Sequence, residues 1–290
     1  MSVAAALPVT QPNALLLALR KNRLSWVGLG LLLLIVLAAV LAPWLAPYDP
    51  LQQNIVARLE PPSAEFWLGT DSYGRDVLSR LLFGARVSLL VGFVAILIAM
   101  CIGATLGIVA GYLGGLIDQL IMGLVDVLLS FPTLLLGLMV AATLGASLEN
   151  LIIAIAITEI APFVRVARAP TIALKQRDFV EAGRALGYGP LRLMGVHILP
   201  NMVSEVVVLG SLWMASAIRT EASLSFIGLG VPPPAATWGG MIREGFENIL
   251  DAWWLTVFPS MAILLTVLAL NLLGDALRDA IDPKLRSERS

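Results

Sequence analysis

The chain has 290 residues, 58% hydrophobic and only 13% charged, with nineteen Lys and Arg against twenty Asp and Glu. Soluble domains run near a quarter charged because water must wet their surfaces, so this chain must place most of its surface in lipid, as its mean hydropathy of +0.88 indicates. The net charge of −1 argues against a nucleic-acid partner, since no basic excess is available to neutralise phosphates.

One cysteine, Cys101, excludes an intrachain disulfide and reads as a small packing residue. With a single histidine, His197, far from it in sequence, it offers no metal site and no thiol dyad.

Taken in chain order, residues 1–23 read as a cytoplasmic segment in which Gln11 to Arg23 suit a helix lying on the membrane surface. The uncharged run that follows Arg23 is too long for a signal-peptide core. Its stretch from Leu24 to Tyr48 exceeds the roughly 20 residues that cross a bilayer, and residues 24–46 are assigned as the first span. Residues 47–86, rich in proline, form an outer loop with a short helix. A core of five further spans covers 87–279, and 280–290 are a cytoplasmic tail.

Charge-free intervals place those five spans. The second lies between Arg86 and Asp118, the third between Asp126 and Glu149, and the fourth from Asn150 to Val164 with one acid, Glu159. The fifth runs from Pro200 to Phe226 across Arg219 and Glu221, and the sixth lies between Asp251 and Asp275. The fold class is therefore all-α with six transmembrane helices. In the second span Gly103, Gly107 and Gly111 make a small-residue ladder, used either for packing inside this chain or at a subunit interface. With the N-terminus inside, thirteen of the nineteen basic residues fall on the inner side, so both termini are assigned to the cytoplasm.

The inner loop, residues 165–199, is the most polar part of the chain. Helical spacing across Asp178–Leu186 puts Phe179, Ala182 and Leu186 on one face. Gly187, Gly189 and Pro190 then stop the helix, and a second short helix leads to Pro200. The run Glu181-Ala182-Gly183, three residues, Gly187, nine residues, His197-Ile198-Leu199-Pro200 resembles the EAA loop of binding-protein-dependent ABC importers. It departs from that pattern at Gly183 and at His197.

Four further runs are similar to the peptide and nickel branch of the same family: Trp67 to Arg80, Gly84 to Leu89, Glu221 to Met241, and Gly274 to Pro283. The resemblance covers almost the whole chain and is to the C-type permease of dipeptide, oligopeptide and nickel importers. It implies the type I importer permease fold and a bacterial inner-membrane location. It also implies that Glu181, Ala182, Gly183, Gly187, Leu199 and Pro200 couple the spans to an ATPase.

The partners it implies are a second homologous permease, two cytoplasmic ATPases, and a periplasmic or lipid-anchored binding protein, with lipid around the spans. The cargo implied is a dipeptide or oligopeptide, with nickel or glutathione as alternatives. No lysine follows a glycine-rich P-loop, so the chain is read as non-catalytic, without cofactor, and powered by another subunit. The alternative class is a secondary transporter driven by an ion gradient; such proteins show internal repeats, and none is evident here.

Two other groups of residues carry charge where it matters. Arg219 and Glu221 are candidate pore-lining or gating residues, since ionisable groups at membrane depth mark pathways. Asp71, Arg75, Asp76 and Arg80 either order the outer loop by local ion pairs or form the docking surface for a binding protein.

Overall fold

The computed structural model describes residues 23–281. The expected surface helix at Gln11–Arg23 and the tail 280–290 fall largely outside the described residues. The described chain is built from helices, and their lengths follow from the apolar runs. Helix α1 is Arg23–Val40 and α2 is Val77–Leu113. Next come α3, Gly115–Ser130, α4, Thr133–Leu144, and α5, Leu148–Leu174. A short α6, Asp178–Ala185, precedes α7, Leu199–Ile227. The chain closes with α8, Trp238–Glu247, and α9, Trp254–Ile281.

Four helical runs are each long and apolar enough to cross a membrane: α2, α5, the run Pro190–Ile227 that ends as α7, and α9. Helices α3 and α4 make a fifth if taken as one span bent by 95°. With α1, 18 residues long within the described part, this gives the six apolar segments expected.

The spans differ from the charge-free intervals in instructive ways. Helix α2 begins at Val77, ten residues before the interval does, because Asp76 caps it: the Asp76 Oδ2 accepts from the Ser79 amide at 2.7 Å. The third span begins at Gly115 rather than beyond Asp126, and it is broken at Phe131–Pro132. Pro132 supplies no N–H and its ring disfavours a helical residue before it, which ends α3 there. Helix α5 runs ten residues past Val164 because its charges are matched. Arg168 reaches Asp118 through Nε at 2.5 Å and Nη2 at 2.6 Å, and Arg165 reaches Asp126 at 2.6 Å.

The glycine ladder packs within the chain. A Cβ on Gly103 would stand 2.5 Å from the Phe163 Cβ, one on Gly107 2.5 Å from the Val164 carbonyl, and one on Gly111 2.8 Å from the Arg168 carbonyl. Helices α2 and α5 thus touch backbone to backbone, the most extensive helix contact in the molecule. Around this seam lies the main core, with Ile96, Ile108, Leu151, Ile155, Phe163, Met202 and Leu224. The Phe163 ring meets Trp213 of α7 edge-on, with centroids 4.5 Å apart.

Candidate functional site

Three polar regions stand on this frame. The first is the turn after α6. Helix α6 ends because Gly187 adopts φ +80°, where a side chain would be strained. The Gly187 amide donates to the Arg184 carbonyl at 2.9 Å and the Tyr188 amide to the Gly183 carbonyl at 3.0 Å. This pair of bonds is a Schellman cap, which uses the carbonyls the helix end leaves free.

Tyr188 then anchors the turn. Arg192 lies over its ring at 3.9 Å, and the His197 ring stands 5.6 Å from it. Arg184 lies 5.4 Å from the Tyr112 ring centroid, and Lys175 donates to the Gly111 carbonyl at 2.8 Å, so the turn is fixed to the end of α2.

The expected coupling residues divide by exposure. Glu181, Ala182, Gly187 and Pro200 are exposed, and Leu199 is partly so. Gly183 turns inward: a Cβ there would lie 2.8 Å from Leu193 and 3.2 Å from Tyr188. It is therefore a packing residue of the turn and not part of its outer face. The face expected from spacing is also shifted. Val180 and Gly183 are buried, while Leu186 and Leu191 are 72% and 82% exposed, an apolar pair offered outward.

The second short helix differs from expectation as well. It is one turn, Pro190–Arg192, followed by a wide π-type segment, Leu193–Ile198, that runs without a break into α7. Pro200 cannot donate to the preceding turn, and widened turns absorb such a loss. The Asn201 side chain donates to the His197 carbonyl at 2.6 Å.

The second region lies within the spans. Arg219 is exposed on α7, whereas Glu221 is fully buried. The Ser225 hydroxyl donates to Glu221 Oε1 at 2.8 Å. Ser88 of α2 lies beside this carboxylate, yet Oε2 makes no hydrogen bond. Of the two candidate pore-lining or gating residues, Glu221 is thus placed in the α2–α7 packing and Arg219 on the exposed face of α7. The acid nearest in charge to Arg219 is the buried Glu159 of α5, 4% exposed, with Ser216 of α7 beside it.

The third region is at the opposite end from α6. Asp71, Arg75, Asp76 and Arg80, expected either to order the loop by ion pairs or to dock a binding protein, are each 2–4% exposed. Asp71 Oδ2 accepts from Arg75 Nε and Arg80 Nη1, both at 2.7 Å. The Nη2 of each arginine donates to Glu244 of α8, at 3.0 Å from Arg75 and 3.1 Å from Arg80. Trp254 donates to the Thr70 carbonyl at 3.1 Å and Trp238 to the Leu81 carbonyl at 3.0 Å, so the loop, α2, α8 and α9 form one clamp.

Burial raises the Glu244 carboxyl to about 7 from its ordinary 4.5. Asp71 and Glu247 add to the rise, and Arg75 opposes it. Sequence spacing gave no signal for Glu244, which lies 169 residues from Arg75.

A bundle of membrane-length helices, closed at one end by an ion-pair clamp and presenting at the other a short capped helix with exposed apolar ends, defines a polytopic membrane protein. Residues 103–287 match the family of binding-protein-dependent transport system inner membrane components, and residues 15–62 match the N-terminal transmembrane domain of oligopeptide transport permease C. The chain belongs to this family of importer permeases.

It is 47% identical to the di/tripeptide transport system permease protein DppC of Pseudomonas aeruginosa, over 90% of this chain and 88% of that one. It is 46% identical to the glutathione transport system permease protein GsiD of Pectobacterium atrosepticum, over 93% and 89%. The fold is similar to an inward-facing structure of the MetNI methionine ABC transporter, with TM-score 0.56 and 17% identity, covering 70% of this chain and 97% of that one.

Proposed function

We propose that this chain is the C-type permease of an ABC importer for di- and oligopeptides, forming half of the translocation pathway beside a second, homologous permease. Partner ATPases in the cytoplasm supply the energy, and a binding protein delivers cargo from the other side of a bacterial inner membrane. Both termini lie in the cytoplasm, with α6 on that side. The peptide reading is favoured by relatives named for di/tripeptide and D,D-dipeptide transport, at 47% and 43% identity. A glutathione cargo remains within the same chemistry, since one relative is named for it.

The observation that carries the coupling role is the turn at Gly187. It is stiff, because two backbone bonds and the Arg192–Tyr188 stack hold it, and it presents Ala182, Leu186 and Leu191 outward. Small and apolar groups let another chain approach closely, and a stiff turn passes a push to α7 as one body. In this reading Glu181, Ala182, Gly187, Leu199 and Pro200 face the motor, and Gly183 keeps the turn compact.

The test is reconstitution of the five-component system in liposomes, with Ala182→Arg and Leu186→Asp in this chain. Loss of peptide uptake with ATPase binding weakened supports the role. Uptake at the parental rate in both variants would sink it.

A further inference from the structure

Charge within the spans is mostly neutralised in place. Asp118 pairs with Arg168 and Asp126 with Arg165. Arg219 is different. It is exposed on α7 and takes part in none of the ion pairs among the described residues. Eight residues separate it from the end of α7 at Ile227, which puts it about 12 Å in from the end of the membrane-length run Pro190–Ile227 at 1.5 Å per residue.

An unpaired guanidinium at that depth does not face hydrocarbon, because intramembrane charge turns to water, a partner or a pathway. Asn201, Glu205, Ser216 and Ser223 lie on the same helix face, each exposed or half-buried, interspersed with Val208, Leu212 and Phe226. The buried Glu159 of α5 has Arg219 and Ser216 as charged and polar neighbours from α7. The guanidinium is thus held near an acid but left with its donors unused.

Five N–H donors in a planar fork match a carboxylate, the terminal group of a peptide, in bidentate geometry. We propose that Arg219 is a transit site for the terminal carboxylate of a short peptide, with Ser216 and Ser223 flanking it and Glu159 acting as the residue that positions it. This rests on the peptide-permease reading and adds the chemical group that the pathway recognises.

The experiment measures uptake of a dipeptide and of its C-terminal amide by the complete reconstituted importer. It compares the parent with Arg219→Gln, Arg219→Lys and Glu159→Gln. The binding protein has its own preference, but it is common to every variant, so it cancels when ratios of free to amidated peptide are compared. Arg219→Gln is expected to lower that ratio about tenfold, the order of one lost charge-assisted contact. Arg219→Lys keeps most of the ratio, and Glu159→Gln lowers it by less than Arg219→Gln does.

An unchanged ratio in Arg219→Gln, or equal losses for both peptides, overturns the proposal. So does failure of the Arg219→Gln chain to co-purify with the partner permease, which assigns Arg219 to the subunit interface. If the parent importer moves neither peptide, the peptide reading itself fails and takes the proposal with it. That outcome is separate from the others because it appears before any substitution is made.

Discussion

The Tyr188 amide donates to the Gly183 carbonyl at 3.0 Å, closing the turn that joins α6 to the run leading into α7. Both partners matter to its shape, since Gly183 also admits the Tyr188 ring against its backbone. The turn depends on Gly187 at φ +80°, where an L-residue costs roughly 1–2 kcal/mol. Gly187→Ala leaves open space around the new methyl group, so its cost is conformational alone. The expected result is a complex that assembles but hydrolyses ATP with reduced peptide uptake, read as the ratio of transport to ATPase rates in liposomes. An unchanged ratio argues against a stiff turn as the coupling element.

Gly107 makes a stronger prediction. Its absent side chain lets the Val164 carbonyl approach, and a Cβ would stand 2.5 Å from that oxygen. Backbone cannot yield as a flexible side chain does, so Gly107→Val is expected to destabilise by about 1–3 kcal/mol, the range for overpacked sites. Thermal unfolding in detergent should show a clear drop in Tm. Gly30, where nothing lies within 4 Å, is the control: Gly30→Ala should leave Tm within experimental error.

The Arg168–Asp118 pair should be worth more than an ordinary surface ion pair. Its geometry is bidentate, at 2.5 and 2.6 Å, and both groups are partly shielded. A double-mutant cycle with Asp118→Asn and Arg168→Gln is expected to give a coupling energy of about 1 kcal/mol or more. For the more exposed Arg165–Asp126 pair the same cycle should give a few tenths of a kcal/mol. Equal coupling in the two cycles contradicts the role of geometry and shielding.

Glu244 predicts a pH dependence. Its folded carboxyl titrates near 7, above its ordinary 4.5, because burial disfavours the charged form. Between those values the folded protein holds a proton that the unfolded chain has released. Stability therefore falls as pH rises from about 4.5 to 7, and this group adds no slope outside that window. Glu244→Gln should remove that share of the slope, measured as Tm against pH in detergent or nanodiscs. A parental slope in the Gln variant assigns the dependence to another group.

Much of this architecture was legible from the residues. Length and charge-free intervals located the apolar segments, because hydrocarbon tolerates few charges and demands about 20 residues per crossing. Where charges are neutralised by neighbours, the same criterion failed. It ended the fourth span before Arg165 and Arg168, whose acids on α3 carry the helix onward to Leu174. It also started the second span after Arg86, although Arg80 is accommodated by Asp71 and Glu244.

The sequence by itself determined that this chain lives in a membrane and that α6 must end at Gly187. Those conclusions rest on composition and on local backbone chemistry, which act over a few residues. Only the tertiary structure decided that Arg75 and Arg80 bridge Asp71 to Glu244, that Gly183 packs against Leu193, and that Glu221 is buried between helices while Arg219 is exposed. Glu244 and Leu193 lie outside the reach of helical spacing. Which acid meets which arginine is settled by how the helices pack, and no periodicity along one segment records that.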